Sequence, residues 1–274
     1  MIDLHTHSTV SDGTDPPAGV VDLAAAAGCS AVALTDHDRL DGLPAAAARA
    51  ASLGLRLVAG CEVSCRWERG NLHLLVYFVE PGEGPFQDAL VELQRGREER
   101  NIAMAAALGL DYEELLAEAG GDGVGRPHAA ALLVRHGRAA TIDDAFRQWL
   151  VRGRPGDIPR RVFSPARAVA AARASGGVAV LAHPLSTRLE PDALASALRE
   201  LAGVGLGGVE ALYGRYSVEE RGLLEAMAVD AGLAVTGGSD HHGTYKPDLA
   251  VGVGRGDLDV PDHLLDALED RRPG

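Results

Sequence analysis

Two histidines two residues apart, His5 and His7, stand near the start of the chain in Asp3-Leu4-His5-Thr6-His7-Ser8. Ile2–Leu4 reads as a short strand, and side chains two apart on a strand share a side, so two imidazoles meet at its end. Such a pair can bind a metal. Asp12 follows in Ser11-Asp12-Gly13, a turn sequence able to bring a carboxylate back to the same place. Donors of the same kind recur along the chain. Asp36 and His37 lie in Thr35-Asp36-His37-Asp38, Glu62 in Gly60-Cys61-Glu62, and His73 in Leu72-His73-Leu74. His183 lies in Ala182-His183-Pro184, and Asp240 and His242 in Ser239-Asp240-His241-His242. Imidazole with carboxylate, and without thiolate, suits Zn, Mn or Fe(II) at a reactive site more than a structural zinc cage. More than six donors imply more than one ion. Sites with several ions suit phosphoryl hydrolysis, because cations both generate a hydroxide and neutralise charge on phosphate oxygens.

One histidine alone carries little weight. His183 before Pro184, taken singly, reads as structural; His136 reads as a cation at a helix C-terminus, and His263 as a solvated helix start. The joint pattern is what argues for metal binding.

The elements that must hold these donors alternate. Strands are expected at Ile2–Leu4, Ala31–Leu34, Leu55–Ala59 and Leu72–Val79, with helices Ala18–Ala27 and Leu43–Ser52 between the first three. After a run that is almost all helix from Phe86 to Leu150, alternation resumes with strands at Val178–Leu181, Val209–Leu212 and Leu233–Thr236. Strand–helix alternation marks an α/β fold with a largely parallel sheet, and about seven β/α units suggest a barrel. Most donors fall just past or on a predicted strand, and C-terminal strand ends form the catalytic face of such barrels. Residues 100–161 read as a helical insertion in a barrel made of 1–99 and 162–274, with Arg152-Gly153-Arg154-Pro155-Gly156 as the return linker.

The 274 residues suffice for one large domain with an insertion. A net charge of −13 argues against a non-specific nucleic-acid or membrane-surface binder. Cys29, Cys61 and Cys65 make no disulfide framework and read as small buried side chains in a reducing compartment. With no signal-peptide pattern and no apolar run of membrane-spanning length, the expected setting is cytoplasmic. There is no P-loop, serine elbow or cysteine–histidine signature.

Taken in order, the quoted motifs resemble the polymerase-and-histidinol-phosphatase (PHP) superfamily, and the likeness spans both barrel halves. It implies a distorted (β/α)7 barrel with a small helical insertion, and three divalent metal ions (Mn, Zn or Fe) on one face. By the same resemblance His5, His7, Glu62 and Asp240 would hold one ion, and Glu62 would bridge to a second held by His73 and His183. Asp12, His37 and His242 would hold the third. Asp36 would orient an imidazole from behind or cap a helix.

Gly125-Arg126-Pro127-His128 followed by Ala145-Phe146-Arg147-Gln148-Trp149-Leu150 resembles the helical cap of the nucleoside 3′,5′-bisphosphate phosphatase and 5′-to-3′ exoribonuclease branch. The activity implied is removal of a 3′-phosphate from small bisphosphates such as pAp, or trimming of short oligoribonucleotides. A metal-bridging hydroxide would attack phosphorus, with His128 able to protonate the leaving oxygen. Arg126, His128 and Lys246 would contact substrate phosphate, a guanidinium being suited to a dianion. His241 could add a ligand, contact substrate or serve packing. The expected partner is a small phosphorylated, nucleotide-like molecule or short RNA, with no membrane and no stable nucleic-acid complex. Histidinol phosphate, a cyclic phosphate or a phosphodiester would use the same chemistry, and a non-catalytic interaction module is the alternative of another class.

Overall fold

Alternate side chains of each strand feed two different cores. In strand β2 (Ala31–Leu34), Ala31 and Ala33 join a cluster with Ile2, Leu75, Val178 and Val180, while Val32 and Leu34 join one with residues of the surrounding helices. A sheet that buries both faces in this way must be wrapped by helices on one side and curled round its own side chains on the other. The computed structural model describes residues 1–121, 123–159 and 162–274.

The barrel strands are β1 (Ile2–Asp3), β2, β3 (Arg56–Trp67), β4 (Gly70–Tyr77), β5 (Val178–Leu181), β6 (Gly208–Tyr213) and β7 (Ala234–Gly238). They form one 7-stranded sheet in sequential order. It nearly closes, because the Leu4 amide donates to the Gly237 carbonyl at 3.1 Å and the Asp240 amide to the His5 carbonyl at 2.8 Å. Helices α1 (Pro17–Ala26), α2 (Leu43–Leu53), α7 (Pro165–Ala174), α8 (Pro191–Gly203) and α9 (Val218–Asp230) contribute to the outer core, and α10 (His263–Glu269) to the inner one.

The distortion lies in β3 and β4. β3 continues through Glu62 to Trp67 instead of stopping at Ala59, and a tight hairpin without a helix leads to β4. β4 runs antiparallel to both β3 and β5, whereas the other pairs are parallel. Gly60-Cys61-Glu62 resembles a strand end in sequence, but Cys61 to Cys65 is buried throughout and pairs residue for residue with Leu72–Val76. Partner pairing extends the strand past the point where local composition would stop it. Because β4 is reversed, a residue near its beginning, such as His73, reaches the same end of the barrel as the C-terminal ends of the other strands.

α3 (Pro85–Leu108) carries the chain from one core to another. Phe86, Ala89, Leu90 and Leu93 belong to the outer barrel core, while Met104, Ala105 and Leu108 belong to a third cluster. That cluster is completed by α4 (Tyr112–Ala119), α5 (Arg126–Arg135) and α6 (Ile142–Ala145), which runs on as a π-helical turn to Leu150. The expected boundary at Arg100 therefore falls inside an unbroken helix, and the one at Arg161 lies outside the described residues.

Candidate metal centre

Strand-end geometry brings His5 and His7 together as two-residue spacing requires, with their Nε2 atoms 3.1 Å apart. Glu62, in the middle of β3, is the hub. Its Oε2 lies 3.4 Å from His5 Nε2, 3.2 Å from His7 Nε2 and 3.1 Å from His37 Nδ1. Its Oε1 lies 2.8 Å from His73 Nδ1 and 2.9 Å from His183 Nε2. Asp240 Oδ1 stands 3.5 Å from both His5 and His7 Nε2 and 3.3 Å from His242 Nδ1. Asp12 faces His37 at 3.7 Å and His242 at 3.5 Å.

Three groups of side chains converge closely enough to hold an ion: His7, Asp12, His37 and His242; His5, His7 and Asp240; and His37, Glu62 and His73. The division differs from the expected one: His7 and His37 each belong to two groups, Glu62 is absent from the group of His5 and Asp240, and His37 stands with Glu62 and His73 where His183 was expected.

The electrostatics follow from this crowding. Burial alone would raise the Glu62 carboxyl, but His37, His73, His5 and the hydrogen bond with His183 outweigh it and hold the group well below its usual range. Burial would likewise raise Asp12, and His37, His242 and His7 hold it ionised instead. Burial pushes the His37 imidazole down to about 3 against the pull of Glu62 and Asp12, which leaves the ring neutral with a free lone pair. Ionised carboxylates and a neutral imidazole are the forms that bind metal.

The backbone is strained at the same place. Asp38, His183 and Asp240 are non-glycine residues with φ of 56°, 28° and 57°. Such conformations persist only where surrounding structure enforces them. A Cβ on Gly238 would lie 2.5 Å from the Cβ of His5, so β7 can close onto β1 only with glycine there.

Behind the convergent donors stand groups that sequence reasoning missed. Glu210, on β6, is wholly buried, with Oε1 2.8 Å from His5 Nδ1 and Oε2 accepting from the His183 amide at 2.7 Å. Its sequence signal was a carboxylate inside the apolar run Val209-Glu210-Ala211-Leu212. Asp3 accepts the amides of His5, Ser239 and Gly252, tying β1 to the loops after β7. The Tyr213 hydroxyl donates to Asp240 Oδ2 at 2.7 Å. Asp36 neither hydrogen-bonds an imidazole directly nor caps a helix: it accepts the Ser8 amide and hydroxyl and the Ser11 hydroxyl, each at 2.7 Å, and so shapes the loop that carries Asp12. His241 points away from the cluster, bonded to the Leu249 carbonyl and Asp15, and serves to anchor the loop.

The cluster opens into a cavity of about 950 Å³ whose wall includes Asp12, His37, His73 and His242. Arg97 and Arg100 of α3, Arg126 at the start of α5, and Lys246 line the same cavity, as do Arg66 and Arg69 of the β3–β4 hairpin. Arg97 is held by the buried Asp38, with Nη2 2.6 Å from Oδ2. Lys246 Nζ lies 2.5 Å from Asp240 Oδ2. His128 does not line this wall. It is buried, its Nδ1 accepts from the Gly125 amide at 2.9 Å, and its ring meets Tyr245 edge-on. Through Nδ1 the ring ties itself to the backbone at the start of α5.

The donor set fits divalent cations. Asp12 Oδ1 and His37 Nδ1 are shielded from water yet make no hydrogen bond to any described residue, which is costly unless something else satisfies them. The His5 and His7 Nε2 atoms, at 3.1 Å, would set lone pair against lone pair without a shared cation or proton. Nitrogen and oxygen donors without thiolate suit a reactive divalent-metal site rather than a closed structural one.

Comparison with known proteins agrees with this geometry. The PHP domain matches residues 3–150. A 3′,5′-nucleoside bisphosphate phosphatase of Chromobacterium violaceum is 34% identical over 266 residues, covering 92% of this chain and 90% of that protein. The 5′-3′ exoribonuclease Rnm of Salmonella typhimurium is 32% identical over 249 residues, covering 88% and 85%. Among solved structures, a candidate metal-dependent phosphoesterase from Bifidobacterium adolescentis superimposes with a TM-score of 0.88 at 29% identity, covering 100% of this chain and 96% of that one.

Proposed function

The chain belongs to the PHP domain family and is a metal-dependent phosphoesterase, and on that premise we propose that it hydrolyses a nucleotide-like phosphate ester. The scissile group is the 3′-phosphate of nucleoside 3′,5′-bisphosphates, with short oligoribonucleotides as longer substrates of the same site. Three ions are assigned: one to His5, His7 and Asp240, one to Glu62, His73 and His183, and one to Asp12, His37 and His242, with Glu62 shared between the first two. Bound divalent cations supply an acidified water as nucleophile and neutralise the charge that develops on phosphate oxygens.

The observation that carries the substrate class is the cavity. Arginines of the β3–β4 hairpin, of α3, of the start of α5 and at Arg152 line it together with Lys246, in a protein whose net charge is −13. Such a concentration of cations opposite a metal cluster suits a ligand with more than one phosphate. Arg126, Arg97 and Arg100 hold the phosphate remote from the cluster, residues 100–161 acting as the cap, and Lys246 lies beside the reacting one. A cavity of about 950 Å³ also lies at the upper end of the range for small-molecule sites, which favours a substrate extending past one nucleotide. A reducing cytoplasmic setting belongs to the same reading, and Cys29, Cys61 and Cys65 are free and buried. None of the helices among the described residues is long and apolar enough to cross a membrane.

Turnover with added Mn2+ of pAp, histidinol phosphate, a cyclic nucleotide and a phosphodiester tests the substrate class. The bisphosphate should have the highest kcat/KM, and removing its second phosphate should lower that value. Faster turnover of histidinol phosphate or the cyclic ester would replace the assignment. Replacing Arg126 by alanine should raise KM for pAp about tenfold, equivalent to about 1.4 kcal/mol, because one charge-assisted contact is lost. Metal content should be unchanged; if it falls, Arg126 supports the metal site rather than the substrate.

A further inference from the structure

Glu210 stands outside the three groups of convergent donors, yet each of its oxygens serves a different metal-site histidine. Oε1 meets His5 Nδ1 at 2.8 Å, and Oε2 accepts the backbone amide of His183 at 2.7 Å. It is fully buried on β6, between β5, which leads into His183, and β7, which closes onto β1 beside His5. An ionised carboxylate in such a place is expensive unless each oxygen is paired. Here one partner is a ring and the other a backbone in a conformation that side chains rarely adopt, with His183 at φ 28° and ψ 62°.

We propose that Glu210 is a positioning residue that sets two metal-site histidines at once. By accepting from His5 Nδ1–H, it keeps the ring in the tautomer whose Nε2 carries a lone pair toward Glu62 and Asp240. By accepting from the His183 amide, it holds the strained residue before Pro184 so that Nε2 reaches Glu62, 2.9 Å away. One side chain thereby couples the ligand groups on β1 and β5, which are far apart in sequence. Glutamine is nearly isosteric but offers an acceptor at one position only. If the amide oxygen stays with His183, the amide NH2 faces His5 Nδ1 and favours the opposite tautomer, with Nε2 protonated and unable to ligate. If it turns the other way, two donors face each other at His183.

The inference rests on the metal-dependent reading of the site. Mn2+ affinity is therefore measured first by calorimetry on the whole chain stripped with chelator, then on Glu210→Gln and Glu210→Asp. The expected result is a 10- to 100-fold weaker affinity in Glu210→Gln, with turnover recovered as Mn2+ is raised. Wild-type affinity in the glutamine variant would overturn the positioning role, as would lost turnover that saturating Mn2+ does not restore. Should Glu210→Gln not fold, Glu210→Asp, which keeps the charge but shortens the reach, gives the same reading. Failure of both to fold would make Glu210 a structural element of the barrel and overturn the assignment. Absence of Mn2+ binding in the wild type would instead defeat the metal reading itself.

Discussion

Replacing Glu62 by alanine is expected to abolish phosphoester hydrolysis, with a fall in kcat of about 10³-fold or more, or about 4 kcal/mol of transition-state stabilisation. No other side chain at the site touches so many partners: its two oxygens lie within 3.4 Å of nitrogen atoms from five histidines. Removing it takes away the negative charge that draws cations to the centre of the cluster and the group that joins one set of donors to the next. Metal content, measured by mass spectrometry after dialysis, should fall together with activity. His5→Ala should act in the same direction. A Glu62→Ala chain that retains both turnover and metal would remove Glu62 from the centre and shift the chemistry to the Asp12, His37 and His242 side.

The second large effect is on stability. Asp38 is completely buried, accepts two guanidinium hydrogen bonds from Arg97 and one from the Ser64 amide, and also holds a left-handed backbone conformation. Its backbone carbonyl accepts from Gln94 as well, so it fastens α3 to the barrel at two points. Asp38→Ala would leave a largely buried guanidinium without its carboxylate, and breaking such a pair costs about 3–5 kcal/mol. Urea unfolding followed by circular dichroism should show this as a lower midpoint with little change in slope. Asp38→Asn separates the causes. Asparagine tolerates the left-handed backbone and keeps the shape, so the part of the loss that persists belongs to the charge pair. A midpoint shift worth less than about 1 kcal/mol in Asp38→Ala would mean that Arg97 finds its compensation elsewhere. Because Arg97 lines the cavity, the same variant should also weaken substrate binding.

These two residues differ in how visible they were. Glu62 stands in a short motif whose chemistry is local: a carboxylate flanked by small residues beside a predicted strand, in a chain with histidines at other strand ends. Asp38 also stands in a conspicuous motif, but nothing near it indicates that its partner is a helical arginine 59 residues away. Glu210 was harder still. A carboxylate in an apolar strand becomes meaningful only when the strand's neighbours are known, and those neighbours bring His5 from 205 residues away.

Chain-local information determined the strand–helix alternation, the helical run from Phe86 onward, and the donor atoms, because period, turn chemistry and ligand type are properties of adjacent residues. Tertiary structure decided the rest. Pairing with β4 carried β3 past Ala59, and strand period carries no information about whether a neighbour runs parallel or antiparallel. Closure of the barrel brought His7 between two groups and set His241 against Leu249 and Asp15. Each of these outcomes depends on backbone geometry accumulated over many residues and on which buried polar groups must find partners, and neither is encoded within a window of the chain. His5 and His7 could be recognised as ligands from their spacing alone; the carboxylate that holds His5 in place could be found only where β6 closes beside it.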